Sequence, residues 1–326
     1  MRIVRYHEHG SPEVLRIDEI DVPQPGPGLV RLRAEAIGVN FASTQERRGI
    51  FYAGNPSLPA SPGSDVVGLV DAVGEGVDSN LVGERVAGVA FQGAYADYSL
   101  LPAEYLVKVP AQMDAAQATM LSSPAQVGFE VIKASKLQPG ETVLVHAAAG
   151  SIGHLQVQFA KALGAGTVIA AANSPAKLEF ARSLGADFGV DYSKPGWELQ
   201  VRDALSGAGV DVVLDSVGGE ITHKSIELLS PLGRLVFFGS ASSGKELPSI
   251  SLMEIVGLRS ITHFTMDAVA SQGAHVLDET ARTVSDLILS GTVRPVVHTV
   301  LPLTEAAKAH QLMEDRSQLG RVVLVP

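Results

Sequence analysis

The chain contains no cysteine. That excludes a disulfide, a thiol nucleophile, a cysteine-ligated zinc and an iron–sulfur cluster. No stretch approaches 18 consecutive apolar residues, so no membrane-spanning helix is expected. The opening MRIVRYHEHGSPE lacks the apolar centre of a secretory signal, and a cytoplasmic protein is the expectation. Positive charge is scarce: 25 Lys and Arg stand against 35 Asp and Glu, a net charge of −10. A nucleic-acid backbone needs a basic face, so no such partner is expected. An anionic cofactor needs only local positive charge and stays allowed. Internal repeats and low-complexity tracts are missing too. What remains is 326 residues, 46% hydrophobic and 18% charged. That is an ordinary globular balance, long enough for two domains and for a core that needs no covalent staple.

The first third reads as strands and turns. In LVRLRAEA (29–36), Val30, Leu32, Ala34 and Ala36 alternate with Arg31, Arg33 and Glu35, the period of a half-buried strand. Similar runs occupy 66–73, 84–89, 95–101 and 106–109. Gly/Pro clusters at 23–28 and 59–63 punctuate them. Such texture predicts a compact β-barrel-like domain. Near Ser122 it changes. Strands at 142–145, 167–171, 210–214 and 235–238 alternate with helices at 152–163, 176–184 and 221–229. That alternation predicts a parallel sheet with crossover helices, an α/β unit. Beyond 264 we expect a helix (279–289), a strand (296–301), a helix (305–313) and a last strand (322–325).

The first strand-to-helix turn of the α/β unit is HAAAGSIG, residues 146–153. Against G-x-G-x-x-G it places Ala148, Gly150 and Gly153 in the small-residue positions, with Ser151 and Ile152 between. Small residues let the backbone turn tightly, let a pyrophosphate approach and let the helix pack on its strand. The helix N-terminus then offers free N–H groups to the phosphates. A carboxylate about 20 residues on would grip the ribose 2′-hydroxyl of NAD. From His154 to Leu178 there is none. Asn173, Ser174 and Lys177 stand there instead and suit a 2′-phosphate, so NADPH is the expected cofactor. The competing reading makes Asn173 and Ser174 helix caps and leaves Lys177 solvated. A second glycine run, Gly239 to Gly244-Lys245, resembles the start of a P-loop. Glu246 stands where a magnesium-holding Ser or Thr is required, and Pro248 interrupts the helix that should follow.

These motifs, with GVN (38–40), PGSDVVG (62–68), GAYADY (93–98), DSVGG (215–219), Phe238-Gly239 and the tail PLTEAAKAH and GRVVL, resemble the zinc-independent quinone oxidoreductases of the medium-chain dehydrogenase/reductase superfamily. The resemblance runs the length of the chain in order. It implies a GroES-like β-rich catalytic domain (1–122 and 265–326) and an inserted Rossmann domain (123–264), with a doubly wound parallel sheet. It implies an active site in the interdomain cleft, NADPH as cofactor and a homodimer paired through an edge strand at 258–264. It also implies cofactor contacts at Gln126, Tyr192, Ser216, Val217, Phe238, Gly239, Ser240 and Arg321. Where zinc relatives carry Gly-His-Glu, this chain has Gly63-Ser64-Asp65, so no metal is expected. The nine histidines are read as structural or surface residues.

The implied chemistry is hydride transfer to a small quinone or to the activated C=C bond of an enone. Asn40 is the candidate donor to a substrate carbonyl or the group that orients a ribose; the alternative is a turn residue. Tyr52 is the candidate proton or hydrogen-bond source, against plain packing. Arg47 or Arg48 would support the loop, attract an acidic substrate or simply face solvent. Asp65 is read as half of an ion pair in preference to an acid–base group. The family's Asp and Tyr after Asn-Phe are replaced by Ser43 and Gln45, which weakens the case for a quinone. Two other readings stay open: an enoyl-thioester reductase acting on a carrier-bound substrate, and an idle NADPH-binding interaction protein.

Overall fold

The computed structural model describes residues 1–51, 54–90, 93–242 and 247–326. Tyr52 and the 243–246 part of the P-loop-like run lie outside the described residues. The chain divides into two units, Met1–Ala125 with Pro295–Pro326, and Gln126–Arg294.

The first unit opens with β1 (Arg2–Arg5), β2 (Arg16–Glu19), β3 (Leu29–Gly38), α1 (Phe41–Arg47), β4 (Asp65–Val73), β5 (Arg85–Val89), β6 (Tyr98–Pro102), β7 (Val107–Lys108) and α2 (Ala115–Ala118). In β3 the expected alternation holds: Val30, Leu32 and Ala36 are buried and Arg33 is exposed. Val30 and Leu32 join Val66, Leu101 and Leu324 in one core, while Ala36 packs with Ala116 and Val323. Strand β3 is the hub of the sheet, pairing antiparallel with both β4 and β6.

Helix α3 (Ser123–Ser135) leads into the second unit. There follow β8 (Thr142–His146), α4 (Gly153–Ala162), β9 (Thr167–Ala172), α5 (Pro175–Ser183), β10 (Phe188–Asp191), α6 (Trp197–Ala204), β11 (Val210–Asp215), α7 (Glu220–Leu228), β12 (Leu229–Phe237), β13 (Ser260–His263), α8 (Met266–Ala270) and α9 (Ala274–Leu289). The six strands are parallel in the order β10-β9-β8-β11-β12-β13. The order reverses between β8 and β11. In open α/β sheets ligands bind outside the carboxyl ends of the strands at such a switch point.

Strand β14 (Val297–Pro302), helix α10 (Ala306–Glu314) and strand β15 (Arg321–Val325) return to the first unit. Strand β15 runs antiparallel beside β3, with Leu324 opposite Ile37. The return comes at Pro295, later than the expected 265. Helix α9 explains the shift. Its Thr280 hydroxyl donates to the Glu130 carboxylate of α3, and Val284 is fully buried. The Arg294 backbone also exchanges two hydrogen bonds with the Gln158 amide. Among the described residues no helix is long and apolar enough to cross a membrane.

Candidate active site

Two constructions carry the candidate residues, one in each unit. In the second unit β8 ends at His146 and the chain turns through Ala147, which has φ of 48°. Gly150 N–H donates to the Ala147 carbonyl at 2.8 Å. A Cβ at Gly153 would collide with that same carbonyl, so only glycine lets α4 start this close to its strand. At the start of α4 the His154 N–H donates to the Gly150 carbonyl at 3.1 Å, and the Leu155 and Gln156 N–H groups donate to the Ile152 carbonyl at 3.0 Å, so the turn closes onto the first amides of the helix. Ala148 is buried behind them.

The other expected cofactor residues fall at the same edge of the sheet. Asn173, Ser174 and Lys177 follow β9, Tyr192 follows β10, Ser216 and Val217 follow β11, and Phe238, Gly239 and Ser240 follow β12. Ser174 caps α5 by accepting from the Lys177 N–H, while Lys177 Nζ donates to Asn173 Oδ1 at 2.9 Å. The cap and the charge placement thus coexist. Asp215 ties the β11 turn: one carboxylate oxygen accepts from Val217 N–H (2.8 Å) and Gly218 N–H (3.2 Å), and the other from the Thr222 hydroxyl (2.5 Å). The turns after β11 and β12 are laced by Ala241 N–H to the Ser216 carbonyl and Ser242 N–H to the Val217 carbonyl. Gln126 is half-buried on α3. Small cradle residues, a lysine and no nearby carboxylate on the β9 turn fit a dinucleotide carrying a 2′-phosphate. His146 is buried, bonded through Nε2 to Ser225 Oγ at 2.8 Å, and burial lowers its pKa.

In the first unit Asn40 sits between β3 and α1. Its amide nitrogen donates to Ser64 Oγ at 2.9 Å and to Asp65 Oδ2 at 2.8 Å. Its carbonyl accepts from Arg321 Nη1 at 2.6 Å. Arg321 Nη2 reaches Asp65 Oδ2 at 2.5 Å, and both of these side chains are fully buried. Asp65 also accepts from the Ser123 backbone N–H and hydroxyl. Gly38 makes room for the guanidinium, because a Cβ there would overlap it. The ion-pair reading of Asp65 therefore has its partner, and the Arg321 guanidinium serves Asp65 and Asn40.

A second buried network lies beyond α1. His310 Nδ1 accepts from Arg47 Nε and its Nε2 donates to the Tyr95 hydroxyl, each at 3.2 Å. Burial, helped by Arg47, lowers its pKa to about 3 and keeps the ring neutral. Arg47 is also paired with Glu314, so it supports structure, whereas Arg48 is exposed. Burial raises the Glu46 carboxyl to about 7. Sequence reasoning left Ser64 and Ser123 out of the site. The signal was an aspartate opening the apolar run VVGLV, since a buried carboxylate demands partners.

Comparison with known proteins fits both constructions. The alcohol dehydrogenase GroES-like domain family matches residues 26–111, and the zinc-binding dehydrogenase family matches 184–324. A 2-haloacrylate reductase of Burkholderia is 37% identical, over 98% of this chain and 97% of its own. A quinone oxidoreductase of Pseudomonas aeruginosa is 35% identical over 99% of each. The chain belongs to the quinone oxidoreductase-like medium-chain dehydrogenases/reductases. A solved member of this family, the Escherichia coli quinone oxidoreductase complexed with NADPH, superposes with a TM-score of 0.91 at 30% identity, covering both chains fully. Among the described residues no group of three or more His, Cys, Asp or Glu is arranged to hold a metal ion.

Proposed function

We propose that this protein is an NADPH-dependent oxidoreductase that reduces quinones or the activated C=C bond of small conjugated carbonyl compounds, without zinc. The observation that carries the reading is the β8 turn at the switch point, with Lys177 in place of a carboxylate on the next turn. Family membership and the NADPH complex of the E. coli relative support it. The 2-haloacrylate reductase relative favours an activated alkene, as do Ser43 and Gln45 where a quinone reductase carries Asp and Tyr.

NADPH supplies a hydride when bound. Gly150 and Gly153 would let its pyrophosphate come close to the turn, beside Ser151 and Ile152; Asn173, Ser174 and Lys177 would hold its 2′-phosphate. Tyr192, Ser216, Val217, Phe238, Gly239 and Ser240 would border it, and Gln126 would meet its amide. Arg321 fixes Asn40 and Asp65 through the buried ion pair and so shapes the substrate side indirectly. Tyr52 is kept as a candidate proton source. The finer parts of the proposal are a cytoplasmic setting and a homodimer. Supporting the dimer, β13 is an edge strand, an exposed liability unless covered, and Leu252, Met253 and Leu258 beside it are more than 75% exposed.

The test is NADPH consumption against a panel of quinones, enones, 2-haloacrylates and enoyl thioesters, with and without a chelator. Turnover of the quinones or small activated alkenes, insensitive to the chelator, is expected. Loss of activity to the chelator and its return with zinc would overturn the metal-free reading.

A further inference from the structure

Gly150 is the glycine whose backbone a pyrophosphate would approach, and glycine by itself leaves that backbone free to turn. The residue after the last glycine of the motif helps to fix it. His154 is fully buried, and its ring Nδ1 lies 2.8 Å from the Gly150 carbonyl oxygen. A carbonyl has no proton to give, so Nδ1 carries the hydrogen and donates. The His154 backbone N–H donates to the same oxygen at 3.1 Å. The Gly150 N–H is also spent, on the Ala147 carbonyl at 2.8 Å. Both backbone polar groups of Gly150 are therefore held from within the turn.

The orientation matters for an anionic ligand. Accepting from His154 turns the Gly150 oxygen toward α4. Across a trans peptide the next N–H, that of Ser151, points the opposite way. A half-turn of this peptide would exchange the two and set a carbonyl oxygen against the pyrophosphate. The backbone bond from position 154 is one that any residue but proline could make. The ring bond needs a side-chain donor, and an apolar residue there would remove it. The ring also has a second neighbour. Phe180 of α5 lies beside it, with ring centroids 6.2 Å apart and planes at 40°. Helix α5 is the one capped by Ser174 and carrying Lys177 in its first turn. One imidazole thus bonds the pyrophosphate turn and packs against the helix that carries the 2′-phosphate lysine.

We propose that His154 is a positioning residue for the cofactor, its Nδ1–H holding the Gly150 carbonyl turned into α4 so that the turn is set before the pyrophosphate arrives. The role rests on the NADPH reading above. The ring acts through Gly150, so its effect is confined to ligands that reach that glycine. A ligand with the adenosine and the 2′-phosphate but no pyrophosphate is indifferent to it.

The experiment compares wild type, His154→Leu and His154→Asn for affinity to NADPH, by fluorescence, and to adenosine 2′-monophosphate, by calorimetry. Leucine is close in volume and has no donor. It should weaken NADPH by roughly 3–10-fold, the scale of one neutral hydrogen bond, and leave adenosine 2′-monophosphate unchanged. Asparagine, whose amide nitrogen can stand where Nδ1 stands, should recover most of the loss. Should the leucine variant not fold, His154→Phe, which keeps a ring against Phe180 without the donor, takes its place with the same result expected. Unchanged NADPH affinity without the donor would overturn the role of His154. So would an equal loss of both ligands, which would make the ring a packing element of the whole unit. Wild-type protein that binds no NADPH would instead overturn the cofactor reading.

Discussion

The turn after β8 and the cluster around Asn40 are built on opposite plans. The turn is made of neighbours, Ala147 to Gly153, and acts through backbone amides and the absence of side-chain bulk. The cluster is made of side chains from four separate stretches of chain, with Asn40 and Arg321 281 positions apart, and acts through charge and hydrogen bonding. One device fails when something is added; the other fails when something is removed. A fold can therefore take up substitutions around the cradle only if they stay small, and around the cluster only if every polar group keeps a partner.

That contrast can be broken by substitution. The largest effect is expected at Gly153. Valine there would drive a branched side chain into the Ala147 carbonyl, and NADPH titration should show no binding; a variant that binds normally would mean the cradle is looser than described. Next is the ion pair. Arg321→Leu leaves Asp65 buried and uncompensated, which costs about 3–5 kcal/mol, measurable by urea unfolding. Combining it with Asp65→Asn should recover part of that loss, since the unpaired charge is then gone. Two equally large and additive losses would argue that the pair acts through packing. Third, Lys177→Ala should weaken NADPH by roughly 10–100-fold, one charge-assisted bond, and leave NADH nearly unchanged.

The smallest effects are in pH dependence. Burial holds His310 at about 3 when folded, below its ordinary value. The unfolded state then binds the extra proton, so this residue's contribution to stability is present above about 6.5 and is lost as pH falls toward 3. Glu46 works the other way. Its folded value of about 7 lies above the ordinary one, so its contribution is full in acid and is lost as pH rises through 7. Glu46→Gln should gain on wild type as pH rises from 4.5 to 7.5, and His310→Gln should gain on it as pH falls over the lower part of that range. Unfolding curves at several pH values check both signs.

The same contrast explains what the sequence makes legible. The Rossmann turn was readable because its requirement is local: small residues at fixed spacing between a strand and a helix. The parallel order and the β3 alternation follow from period alone. The cluster was not readable in this way. Nothing near Arg321 shows that β15 will lie antiparallel to β3 and bring a guanidinium against Asp65, so Arg321 was expected at the cofactor and Asn40 was expected to have a free donor. Burial of Asp65 and the glycine at 38 acquire meaning only once those strands are paired. The later return at Pro295 has a similar cause, since α9 is fixed by a bond to Glu130 that spans 150 positions.

The central claim is that a hydride reaches the carbon β to the carbonyl of an activated alkene. The most direct measurement uses NADPH deuterated at C4, with each face labelled in turn, and a small enone, with the product read by NMR. The account predicts deuterium at the β-carbon from one label and none from the other. Deuterium at a carbinol carbon would mean carbonyl reduction, and the mechanism would be contradicted.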